Sequence, residues 1–242
     1  MRKNPHTVRK SVLFVFLFAM IFACSPSEQE LMDEGIKLLE ASELEKSIEF
    51  FDRVLEKNAN NTTALNAKGV ALYQLKKYDA AIEAFTLSIS ADSTSYKPFF
   101  NRGNAYLEKK SFKEAVMDYN QANGLDPSVL DVNYNRGLAL LGMESYEDAI
   151  FDFDQVIQQD PNRALAHFNK AKALLGNNDP VAAANSLVAT VNLDKQNGPA
   201  YYLLGVTQMS AFGQKEEGCA NLKMALSLGF SEAKTWIDDF CK

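Results

Sequence analysis

Apolar and small residues along this chain recur at helical spacing, and the helical pattern itself returns every 34 residues. In "ALNAKGVALYQL" (64–75) and "DAAIEAFTLSISA" (79–91) they fall at intervals of three, four or seven, which puts them on one face of a helix. Aligned at that period, Phe51, Phe85, Tyr119, Phe153 and Leu187 share one column. Ser47, Ala81, Ala115, Ala149 and Ala183 share a second, and Gly35, Gly69, Gly103, Gly137, Ala171 and Gly205 a third. Tyr78, Phe112, Tyr146 and Pro180 form a fourth. Each period therefore predicts two amphipathic helices that meet at small residues, with an aromatic ring filling the space beside them. Pro127 and Pro161, each after an aspartate, break the pattern at the ends of two periods. "GNND" (176–179) predicts a turn, with Asp179 as a cap and Pro180 at the first helical position.

These columns resemble the tetratricopeptide repeat family, with Gly or Ala at position 8 of a 34-residue unit, a small residue at 20, an aromatic at 24 and Pro at 32. The resemblance implies an all-α, right-handed solenoid of about six helix-turn-helix repeats over the chain that follows the leader. Units are expected near 28–61, 62–95, 96–129, 130–163, 164–197 and 198–230. The first departs at Ser47 and Ala59, and the sixth through a two-residue shift that brings Cys219 into the small-residue column. Residues 231–242 read as a capping helix after a turn at Gly229, with Ala233, Trp236, Ile237 and Phe240 covering the last unit.

The N-terminus does not belong to this pattern. Arg2, Lys3, Arg9 and Lys10 precede an unbroken apolar run of twelve, Val12 to Ala23, which suits an export leader and is too short to span a bilayer. Ile21-Phe22-Ala23-Cys24 resembles the lipobox of bacterial lipoproteins, with bulky Phe22 as the departure. That resemblance implies a signal peptide at 1–23, acyl chains (palmitate among them) on Cys24, and a tether of only 24–27. Ser25 after the cysteine resembles the outer-membrane sorting pattern, so the expected location is lipid-anchored at the outer membrane, on its periplasmic or surface face. Alternatives are an ordinary secretory leader and an uncleaved anchor.

Charge narrows the partners. The chain has 25 basic and 31 acidic residues, and the leader takes four of the basic ones. The remainder is acidic, which argues against nucleic acid or anionic headgroups as its partner. Cys219 and Cys241 remain as an even pair; they would meet at the open end of a helical hairpin, as a disulfide in an oxidising compartment or as two half-buried thiols.

No chemistry of its own is expected. His167 is the one histidine after the leader and reads as a packing residue. There is no His/Cys cluster for a metal, no GxSxG, no phosphate-cradling loop and no cofactor motif. The carboxylates of "YEDAIFDFDQ" read as a solvated face.

Family positions 2, 5, 6, 9 and 12 of the first helix imply a concave groove for peptides or partner helices. Phe100, Tyr134, Phe168 and Tyr202 hold position 5, Asn101, Asn135 and Asn169 position 6, and Asn104 and Lys172 position 9. A primary amide offers donor and acceptor in one plane and can grip a peptide backbone; the aromatics would add apolar contact. The same residues can instead be structural, and Arg102, Arg136 and Lys170 read as stems packed between units. The family's carboxylate clamp is expected to be absent: Asn104 and Asn135 fit it, but Phe100, Leu165 and Asn169 stand where it needs bases. The sequence thus implies a non-catalytic scaffold of the cell envelope that binds a protein or extended peptide. The alternative is a structural subunit of an outer-membrane assembly with no exchangeable ligand.

Overall fold

The computed structural model describes residues 26–242, so the leader and Cys24 lie outside the described residues. Helices follow one another as α1 Glu28–Glu40, α2 Leu44–Lys57, α3 Thr62–Gln74, α4 Tyr78–Ala91, α5 Tyr96–Glu108 and α6 Phe112–Leu125. Then come α7 Leu130–Gly142, α8 Tyr146–Gln159, α9 Ala164–Gly176, α10 Pro180–Leu193, α11 Gly198–Phe212, α12 Lys215–Ser227 and α13 Ala233–Phe240. No strand occurs among the described residues. Each helix packs on the next in sequence, and successive odd-numbered helices also touch from α1 through α9. The odd-numbered helices therefore form one continuous row of an all-α tandem-repeat solenoid.

The column residues meet as their pattern requires. Phe51, Phe85, Tyr119 and Phe153 are fully buried. A Cβ added to Gly35, Gly69, Gly103 or Gly137 would lie 2.4–2.8 Å from the ring sixteen residues later. Hydrogen in place of a side chain is what lets ring and backbone touch. The fourth column works the same way between units: Gly142 faces the Phe112 ring and Gly176 the Tyr146 ring. Gly176 is thus the last residue of α9, packed on an aromatic, and not the turn glycine that "GNND" suggested.

The turns obey the period without glycine. Ser42, Lys76, Lys110, Glu144 and Asn178, each 34 apart, adopt φ of 58–60°. In each, the next residue's N–H reaches back five residues along the chain, as Lys77 N does to Leu72 O at 2.9 Å, which closes the preceding helix. That paired bond holds the left-handed residue in place against a cost of about 1–2 kcal/mol. The return junctions repeat too. The side chains of Asn58, Asp92, Asp126, Asp160 and Asp194 each accept the backbone N–H two residues on.

The sixth unit is shifted by one residue, not two. α11 runs for 15 residues and ends at Gly213 in the left-handed region. Gly218 then faces Gly205, and Leu222 takes the place of the aromatic. Cys219 is bonded to Cys241, with Cα atoms 5.6 Å apart. The bond ties α12 to the end of α13, which lays Ala233, Trp236 and Ile237 against Leu222 and Ala225.

Asp152, read from the sequence as part of a solvated face, is buried, and so is Asp118. Asp118 and Asp152 accept two hydrogen bonds each from Arg102 and Arg136, at 2.6–2.8 Å. Each arginine also reaches the preceding even-numbered helix, at Thr86 and Asn120 respectively. Where the column carries Lys68 or Lys170, no such aspartate follows, and the lysine pairs with Asp52 or Asp154 of the preceding unit. The position-7 cations are therefore clamps between units, beyond the stem packing expected of them. Asp152→Ala is expected to cost about 3 kcal/mol, because Arg136 stays charged and mostly buried without its carboxylate. The pair Arg136→Met with Asp152→Leu should recover most of that loss in urea melts at neutral pH.

Candidate functional site

The row of odd-numbered helices carries every residue the sequence assigned to partner binding, and packing decides what each still offers. The asparagines first build the fold. Asn101 Nδ2 donates to Asn66 Oδ1 at 3.0 Å, and Asn135 Nδ2 to Asn104 Oδ1 at 2.8 Å. Asn104 Oδ1 also accepts from the Tyr119 hydroxyl at 2.8 Å. Asn169 Nδ2 donates to the Tyr134 hydroxyl and to Leu165 O. All three position-6 amides thus donate back to the preceding unit and zip the row together.

What remains differs by residue. Asn101 and Asn135 each keep a carbonyl oxygen and one N–H outside these bonds, so a bidentate grip on a peptide stays possible for them. Asn169 does not: it is 8% exposed and both amide hydrogens are in use. Its expected role as an open amide is corrected on that ground.

The aromatics divide similarly. The Phe100 and Tyr134 rings lean on Tyr119 and Phe153 of their own units, with centroids 6.2 and 5.9 Å apart. Tyr134 is covered further by the Arg163 guanidinium, 4.2 Å from the ring centroid, which Asp131 holds at 2.8 Å. Burial pushes the Tyr134 phenol up, and Arg163 pulls it part of the way back. Tyr202 is half-buried against Phe230, 5.0 Å away. Phe168 is half-buried, with exposed Lys172 one turn later at 5.9 Å from its centroid.

Leu165 stands out on this face. It is 54% exposed, at position 2 of its unit, and was considered in sequence only as a missing base. With half-buried Leu138, Phe168, Leu203 and Val206 it makes the α7–α11 part of the row apolar. Lys97, Asn101 and Asn104 make the α5 part polar.

His167 is half-buried, and its Nε2 lies 2.9 Å from Pro161 O, so it ties the junction before its helix as well as packing. Among the described residues no group of three or more His, Cys, Asp or Glu is placed to hold a metal ion. No helix among them is long and apolar enough to cross a membrane.

Known proteins were compared with the chain. Profiles described as "Tetratricopeptide repeat" match residues 32–96 and 140–207, and one described as "TPR repeat" matches 103–144. No curated protein matches. Solved structures with a similar fold include pilF of Pseudomonas aeruginosa, 19% identical at a TM-score of 0.70, over 86% of this chain and 96% of that one. Another is the C-terminal part of a TPR repeat-containing protein of Cytophaga hutchinsonii, 18% identical at 0.70, over 81% and 78%. A third is YrrB, described as "a TPR protein with an unusual peptide-binding site", 20% identical at 0.66, over 74% and 91%. Identities this low carry the shared fold and nothing finer.

Proposed function

Because the chain belongs to the tetratricopeptide-repeat family, whose members bind protein or peptide partners, we propose that it is a non-catalytic scaffold anchored by lipid in the bacterial cell envelope. Its partner, a protein or extended peptide, lies along the odd-numbered helices. The observation that carries this reading is the incompletely buried apolar stretch from Leu138 through Leu165 and Phe168 to Val206 beside the polar stretch at α5. A ligand segment would set apolar side chains on the first and backbone groups on Asn101 and Asn135. Lys172 favours a carboxylate-bearing segment near Phe168.

The anchor rests on the leader and on Cys24, and the short tether before Ser27 keeps the first unit close to the bilayer. Ser27 caps α1 reciprocally with Glu30, so the helix begins within four residues of Cys24. Attachment at the outer membrane, on either face, is part of the same reading.

Photocrosslinking in cells tests both halves. A crosslinker at position 165 or 172 is expected to capture a discrete partner, whereas one at exposed position 56 on α2 is not. Capture only from 56 would reject the groove. In the same cells a clickable fatty acid is expected to label the chain and to be lost on Cys24→Ser. Equal labelling of that variant would reject the anchor.

A further inference from the structure

The even-numbered helices carry a cleft that this reading leaves unused. It lies among α6, α7 and α8, encloses about 310 Å³, and is lined by Val116, Asn120, Leu140, Asp148 and Phe151 over the Arg136–Asp152 pair. Phe151 is 60% exposed, and Met117, 34 residues earlier on α6, is 61% exposed. Two large apolar side chains so exposed, at one register of successive outer helices, form a patch where isolated ones would need no explanation.

The patch goes with the buried ion pairs. Arg102, Asp118 and Thr86 repeat the set Arg136, Asp152 and Asn120 at 34 residues' distance, and Met117 then stands where Phe151 stands. In the flanking units the aspartate column holds Ala84 and Ser186, and the exposed apolar column holds Glu83 and Asn185. The two features occur together and lapse together. A buried ion pair adds little net stability over apolar packing, so the coincidence assigns these arginines to shaping the outer surface.

The charge around the cleft identifies what fits it. Among the described residues, exposed Glu144, Glu147 and Asp148 form no salt bridge; Arg136, within Coulombic reach of Asp148, is bonded to Asp152, and Arg163 to Asp131. The negative field is centred on the head of α8. The α6 end of the patch carries Lys113, which leaves Met117 as its apolar contact.

We propose that the cleft docks a second partner segment, a basic–apolar stretch of another protein whose Lys or Arg sits between Phe151 and Asp148 and whose apolar neighbour covers Met117. A cation there gains both the ring face and the carboxylate. α6 and α8 each pack on α7, so a segment crossing the cleft reaches both anchors with its cation and its apolar residue a few positions apart. The groove and the outer cleft then let one chain hold two partners at once.

The test uses immobilised Gly/Ser peptides that each carry one Arg or Lys and one Leu or Phe three residues later. The full chain in mild detergent is the probe, and a matching set has Glu in place of the cation. The cationic set is expected to bind, more weakly as salt rises. Phe151→Ser and Asp148→Lys are each expected to weaken it about tenfold, with the thermal midpoint held, while Leu165→Ser in the groove leaves it unchanged. Equal binding of the Glu set, no binding of either set, or binding insensitive to both outer substitutions overturns the proposal. So does Phe151-dependent self-association in sedimentation, which would make a second copy the occupant.

Discussion

Phe153→Ala is expected to destabilise the solenoid by about 3–5 kcal/mol. The ring is fully buried and sits between α7 and α8, where one edge contacts Tyr134 and another the backbone of Gly137. Its loss leaves a cavity that two helices joined by a tight turn cannot collapse to fill. The complementary change is informative. A Cβ at position 137 would lie 2.8 Å from the ring, so Gly137→Ala is expected to cost about 1–3 kcal/mol by overpacking. Gly137→Ala combined with Phe153→Leu should cost less than the two single changes added, because the smaller side chain makes room for the methyl. Since each unit touches only its neighbours, the loss should appear first as faster hydrogen exchange in α7 and α8. Additive losses spread evenly along the chain would contradict the column as the local unit of stability.

Removing the disulfide by Cys219→Ser and Cys241→Ser is expected to cost about 3 kcal/mol, from the loop of 22 residues that the bond closes. The loss should fall mainly on the end of the solenoid. α13 has eight residues, too few to be stable alone, and it is held to α12 by this bond and by Trp236, Ile237 and Phe230. With the bond gone, that apolar end opens to solvent more often. The expected readout is increased exchange in α11–α13 together with a lower melting temperature in the absence of reductant. Unchanged exchange in α13 would mean that packing alone holds the cap.

The fold was legible because its determinants are local and repeated. Gly103 with Tyr119 and Gly137 with Phe153 are pairs sixteen residues apart, and the period displays both partners in columns. Turn geometry was less visible. Ser42, Lys76, Lys110, Glu144 and Asn178 share a left-handed conformation but no residue type, since the paired backbone bonds impose it. Asp152 was misread because a helix that alternates acidic and apolar residues looks solvated. Its burial follows from Arg136 sixteen residues earlier, a match that becomes visible only when the arginine and aspartate columns are compared.

The groove was legible in outline and not in detail. The position-6 asparagines form a column, but a column of amides serves a zipper and a ligand equally well. Only the distances from Asn101 to Asn66 and from Asn135 to Asn104 show that the zipper comes first. Leu165 went unremarked as a contact because nothing in its column repeats: Asp131 and Lys97 hold the equivalent places.

The central claim is that the odd-numbered helices hold the partner. The most direct measurement is the affinity of the partner captured from position 165 or 172 for the full chain and for Leu165→Glu with Lys172→Glu. Both positions are exposed and outside the core, so stability should be unchanged in the variant. A loss of about tenfold or more in affinity is the predicted result. An affinity equal to that of the parent chain, with the fold intact, would contradict the account.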